Sequence, residues 1–134
     1  MSTNVFLERF SGAPVAALTD VLALFAPYGE ITHIDDRFEV LFADGNVARL
    51  AWIDSADGMA VDTIGFEAAE LDDPLRHLVY TALQRFGFVA LDDEGRQAYV
   101  RVGLAQAVPA ALRDDLKGGV IEVGHPNELW PDLH

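Results

Sequence analysis

Turn signals recur so often along this chain that hairpin connections dominate it, and a two-residue hairpin can join only antiparallel strands. Asp44-Gly45, Asp57-Gly58 and the run Asp92-Asp93-Glu94-Gly95 each supply a glycine where a tight reversal needs positive φ. Ahead of the first turn, Phe38, Val40 and Phe42 alternate onto one face, and residues 47–53 form a second apolar run before Asp57-Gly58. Residues 30–66 are therefore expected to be a three-stranded antiparallel meander. Residues 88–91 and 97–102 flank the third turn and read as a further hairpin.

Helical spacing interrupts this pattern three times. In the strongest case Asp72-Asp73-Pro74 caps a helix with the apolar stripe Leu75, Leu78, Val79, Ala82, Leu83 and Phe86, and Gly87 stops it. An earlier helix is expected to start at Pro14, to carry Val15, Leu18, Thr19, Leu22 and Phe25, and to end at Pro27-Tyr28-Gly29. A short third helix opens at Val108-Pro109-Ala110 and closes at Gly118-Gly119. Residues 5–10 read as the first strand, residues 120–123 as an edge strand, and residues 125–130 as one last turn. Strands joined by hairpins, with helices between groups of them, give an α+β fold: a mostly antiparallel sheet with two main helices and one short C-terminal helix packed on it. Residues 1–134 are expected to form one domain, with 124–134 as a C-terminal tail.

Composition narrows the partners. With 134 residues and 51% hydrophobic content the chain can bury a core, and it must do so by packing and hydrogen bonds, because there are no cysteines to supply disulfides, thiolates or thiolate metal sites. Residues 1–10 carry Glu8 and Arg9 within their apolar run and do not read as a signal peptide, and the apolar run 15–26 is broken by Asp20, so a cytoplasmic location without membrane contact is expected. Asp and Glu number 22 against 9 Lys and Arg, one of them lysine (Lys117), for a net charge of -13. Phosphate backbones and anionic membranes repel such a chain, so direct nucleic-acid binding is not expected and a basic protein partner is.

No phosphate loop, nucleophile elbow, paired-histidine zinc helix or calcium loop is present. No cofactor and no catalytic residue is assigned, and the chain is not read as an enzyme. The one alternative worth carrying is a small enzyme or metal-binding protein using His33 with Asp35 or Asp36, since residues two apart on a strand share a face. His77 is expected to pair with Asp73 one turn earlier on the helix surface. The Asp-Asp pairs have structural duties at caps and turns, and together they make a negative surface. Trp52 reads as half-buried packing. Trp130 either staples the tail to the domain or offers an aromatic anchor. On expected exposure, Asp35, Asp36, Asp54, Asp57, Asp92, Asp93, Glu94 and Trp130 are the candidate partner contacts.

Two segments also carry a likeness. Asp73-Pro74-Leu75-Arg76-His77-Leu78-Val79-Tyr80, ending at Phe86-Gly87-Phe88 with Asp92-Asp93 after it, and Val120-Ile121-Glu122-Val123-Gly124-His125-Pro126-Asn127-Glu128-Leu129-Trp130, resemble parts of small bacterial proteins. Some of these are similar to immunity proteins of interbacterial toxin systems. That resemblance implies an inhibitor that occludes a toxin, with acidic residues facing a basic cleft. No residue here matches a defined inhibitory motif, so the toxin class stays open.

Overall fold

The computed structural model describes residues 2–10, 15–43, 47–93, 97–116 and 118–131. The turns expected at Asp44-Gly45 and Glu94-Gly95, and Pro14 at the expected helix start, lie outside these. Eight strands form one sheet: β1 (Ser2–Glu8), β2 (Gly29–Ile34), β3 (Arg37–Phe42), β4 (Leu50–Asp54), β5 (Thr63–Glu70), β6 (Val89–Asp92), β7 (Ala98–Arg101) and β8 (Val120–Val123). Their order is β2-β3-β4-β5-β1-β6-β7-β8. Every neighbouring pair is antiparallel except β7 with β8. The three helices are α1 (Leu18–Phe25), α2 (Asp73–Phe86) and α3 (Ala110–Asp114). The expected α+β class, with its mostly antiparallel sheet, two main helices and one short one, is the observed one.

The region 30–66 holds four strands rather than three. Ile34 and Arg37 face each other across the two-residue loop Asp35-Asp36, so the first expected strand folds back on itself as β2 and β3. Asp35 takes φ 54° there, a left-handed conformation that aspartate tolerates better than most residues. A second irregularity sits in β5, where Ala68 has φ 52° and the register with β1 shifts between Thr3 and Val5. The side chain of Asn4 accepts a hydrogen bond from the Ala68 N–H at 3.1 Å and satisfies the donor that the shift frees.

The two faces of the sheet are covered differently. Val5 and Leu7 of β1, Val40 and Phe42 of β3, Ala51 and Ile53 of β4, and Ile64 and Phe66 of β5 point to the inner face and are buried beneath α1 and α2. α2 contributes Leu75, Leu78, Val79, Ala82, Leu83 and Phe86, the stripe expected from its spacing, and Gly87 ends it at φ 70°. Asp72 occupies the cap position without a side-chain cap bond, and Asp73 stands 3.7 Å from Arg76 as an i,i+3 ion pair; no ion pair of His77 occurs among the described residues. α1 begins at Leu18, later than expected, and buries Leu18, Val21, Leu24 and Phe25, while Val15 and Thr19 face solvent. The cause is a contact outside the helix: Ala16 C=O and Leu18 N–H bond Val61 N–H and Met59 C=O at 2.8 Å each, so this stretch serves as a short bridge before the helix starts.

On the outer face, the β6-β7-β8 side is roofed by α3 and the turn before it. Val89, Ala98, Val100 and Val108 are buried there with Phe10, and Leu104, Leu112, Leu116 and Val120 pack around them. The outer face of β2, β3, β4, β5 and β1 has no such roof among the described residues.

Candidate functional site

The register aligns one outer-face row across all eight strands: Thr32, Glu39, Trp52, Gly65, Phe6, Leu91, Ala98 and Val120. Trp52 lies on Gly65 so closely that a Cβ there would come within 2.2 Å of the indole carbons Cε2 and Cζ2. Gly65 is thus the gap into which the indole fits. Phe6 flanks the indole with ring centroids 6.3 Å apart, and the Arg37 guanidinium stands 5.7 Å from its centroid while holding Glu39 at 2.9 Å. The result is an ordered aromatic and charged strip on a sheet face that no other element covers among the described residues. Trp52 is half-buried, as expected, on the outer face of the sheet.

One row nearer the end of the sheet come Ile34, Arg37, Asp54, Thr63, Glu8 and Val89. Beyond it project the Asp35-Asp36 turn and the loop 55–62 between β4 and β5. Six carboxylates therefore gather at this end: Glu8, Asp35, Asp36, Asp54, Asp57 and Asp62. Among them stand two exposed apolar side chains, Met59 at 76% and Ile34 at 40% exposure. Glu8, Arg9, Phe10, Asp62 and Thr63 line an open cleft of about 350 Å³ here, closed behind by the Arg9 N–H to Asp62 C=O bond at 2.9 Å.

The loop is rigidly wired. Asp57 Oδ1 accepts from the Met59 and Ala60 N–H groups at 2.8 and 2.9 Å and from Ser55 Oγ at 3.3 Å. Ser55 Oγ also donates to the Ala60 carbonyl, and Asp62 Oδ2 accepts from the Ala56 N–H at 2.8 Å. The backbone bonds from Ala60 and Met59 hold the Asp57 carboxyl below its ordinary value of 3.8. Asp57 is exposed, as expected, yet its first duty is to order the loop that carries Met59.

The candidate contacts do not form one patch. Asp35, Asp36, Asp54 and Asp57 belong to the acidic end just described. Asp92 and Asp93 lie at the opposite end, where β6 finishes beside the start of β1, and Glu94 falls outside the described residues. Asp92 is buried, 6% exposed, because its place opposite Val5 turns it to the inner face. Asp93 is exposed but tied locally, accepting from Thr3 Oγ1 at 2.6 Å and from the Asn4 N–H at 3.3 Å.

Trp130 is not a surface anchor either. It is 3% exposed, packs edge-on against Tyr99 at 5.3 Å, and stands in the strained region at φ 46°. The buried Arg76 holds it there, donating Nε to the Leu129 carbonyl at 2.8 Å and a terminal nitrogen to the Trp130 carbonyl at 2.9 Å. Of the two roles open to Trp130, stapling the tail to α2 is the one observed. Arg76 itself was missed by sequence reasoning, although an arginine within the buried stripe of a helix is a signal that a polar partner must meet it.

His33 is exposed and its ring stacks on Phe38, centroids 4.4 Å apart and 11° between planes. Among the described residues no three histidine, aspartate or glutamate side chains come close enough to hold a metal ion. No helix among them is long and apolar enough to cross a membrane.

Comparison with known proteins adds no relative. The chain matches no family model, no curated protein and no solved structure.

Proposed function

We propose that this is a binding protein that captures a basic partner protein in the cytoplasm through the acidic end of its sheet, and that it acts as an immunity-like inhibitor of that partner, for which a toxin domain is the leading class. One observation carries the reading: six carboxylates are gathered at one end of the sheet around exposed Met59 and Ile34. Charged rims steer encounter, and apolar side chains at their centre supply contact area that excludes water. A net charge of -13 extends the attraction beyond contact and raises the association rate toward ~10⁸ M⁻¹s⁻¹ at low salt.

The test is affinity capture at low and high salt with proteins encoded beside this one, comparing the wild type with Asp35→Asn/Asp36→Asn/Asp54→Asn and with a control, Asp114→Asn/Asp115→Asn, on and beside α3. Retention of one basic protein by the wild type and the control, but not by the triple variant, is the expected result. Equal retention by all three at both salt concentrations overturns the assignment.

A further inference from the structure

The two edges of the sheet are finished differently. β8 has four residues; the chain leaving it is held down, with the Gly124 carbonyl accepting from the Tyr80 hydroxyl at 2.9 Å and the Gly124 N–H bonded to Glu128 at 3.0 Å. The Glu122 carboxylate is engaged by the Ala105 N–H at 3.1 Å. β2, at the other edge, has six residues in unbroken register with β3, and contains neither proline, lysine nor a bulge. Those are the usual devices by which an edge is protected from pairing.

The direction of its free groups follows from the hairpin. Ile34 and Arg37 close the two-residue loop as a hydrogen-bonded pair, so Ile34, Thr32 and Glu30 turn their N–H and C=O groups to β3. Ile31 and His33 turn theirs outward, and no other described residue bonds them. On the inner face of this edge, half-buried Ile31 and the stacked rings of His33 and Phe38 present apolar surface. On the outer face and at the turn, Glu30, Asp35 and Asp36 are exposed, and none of the three is in an ion pair among the described residues.

We propose that β2 is completed by an extended segment of a partner protein in which lysine or arginine alternates with apolar residues, adding one strand to the eight. This rests on the reading of the protein as a captor of basic partners and specifies how capture occurs. The basic side chains sit beside Glu30 and the Asp35-Asp36 turn, and the apolar ones cover Ile31 and the His33–Phe38 stack. Charge decides the occupant. A second copy of this chain pairing antiparallel at the same edge sets Glu30 of each strand beside the acidic turn of the other, which like charges oppose.

The probe is a six-residue peptide alternating lysine and valine, the length of β2. It is compared with the same peptide N-methylated on the amides that face β2, and with a glutamate–valine peptide. Binding is followed by amide hydrogen exchange. The lysine peptide is expected to bind and to protect the Ile31 and His33 amides, N-methylation to weaken it by about tenfold or more, and the glutamate peptide not to bind. His33→Pro, which removes one outward donor together with the ring, is expected to weaken binding by clearly more than His33→Ala, which removes the ring alone, and Glu30→Lys to weaken it without changing the backbone. If the methylated peptide binds as tightly, or the two amides stay unprotected, the edge is not the site, although capture at the acidic end can still stand. Absence of peptide binding overturns the proposal, as does a dimer of the free protein with those amides protected.

Discussion

Gly65 and Trp52 show how much of this surface depends on one missing methyl group. An alanine at 65 drives its Cβ to 2.2 Å from the indole carbons, an overlap too deep for a shift of a few tenths of an ångström to relieve, so the side chain has to leave its place. Gly65→Ala is expected to cost about 1–3 kcal/mol and to shift tryptophan emission to the red. The same change in a Trp52→Ala background should cost little, and a cycle showing no coupling would mean the indole is not seated there. Asp57 gives a second residue-level prediction. Its folded-state value lies below 3.8, so its contribution is complete above that value and is lost as the pH falls through the folded one. Asp57→Ala should therefore be less stable than the wild type at neutral pH, with the difference shrinking in acid. Urea unfolding at both pH values checks this; an unchanged difference would assign the loss to something other than the carboxylate.

At the scale of elements, legibility followed how local each determinant is. α2 could be read almost entirely from Asp72 to Gly87, because its stripe, its proline and its left-handed stop all lie within that stretch. α1 could not, since its start is set by Met59 and Val61, far along the chain. The β2–β3 reversal is not legible as a hairpin, because Asp35-Asp36 lacks the glycine that usually announces one, and aspartate supplies the left-handed residue instead. The acidic end was partly legible: four of its carboxylates could be named and Asp62 shares a loop with Asp57, but Glu8 joins them only because β1 and β5 are neighbours. Asp92 was not legible as buried for a related reason, since the inner or outer facing of a residue near a strand's end depends on register that the local sequence does not reveal. The turn itself is testable. Asp35→Val should cost about 1–2 kcal/mol, whereas Asp35→Gly should leave stability equal or higher in chemical denaturation; equal losses in both would show that the left-handed residue is not what shapes the reversal.

For the molecule as a whole, charge sets the response to solvent. With -13 spread over 134 residues, folding brings carboxylates together, most densely at the acidic end. Raising ionic strength from about 0.01 M to 0.15 M shortens the screening length from roughly 30 to 8 Å, and the thermal midpoint should rise with it. The triple variant Asp35→Asn/Asp36→Asn/Asp54→Asn should show a smaller rise, and an identical response would place the repulsion elsewhere.

The position of β1 has a further consequence. The first strand of the chain lies between β5 and β6, pairing with both, so it alone joins the β2–β5 half of the sheet to the β6–β8 half. During synthesis neither neighbour exists when β1 emerges, and both must be made before it can dock. Both pairings of β1 therefore close long loops, a non-local topology expected to slow folding relative to a sheet of hairpins alone. A sheet deprived of β1 would expose two unpaired edges, on β5 and β6, at its middle rather than at its ends.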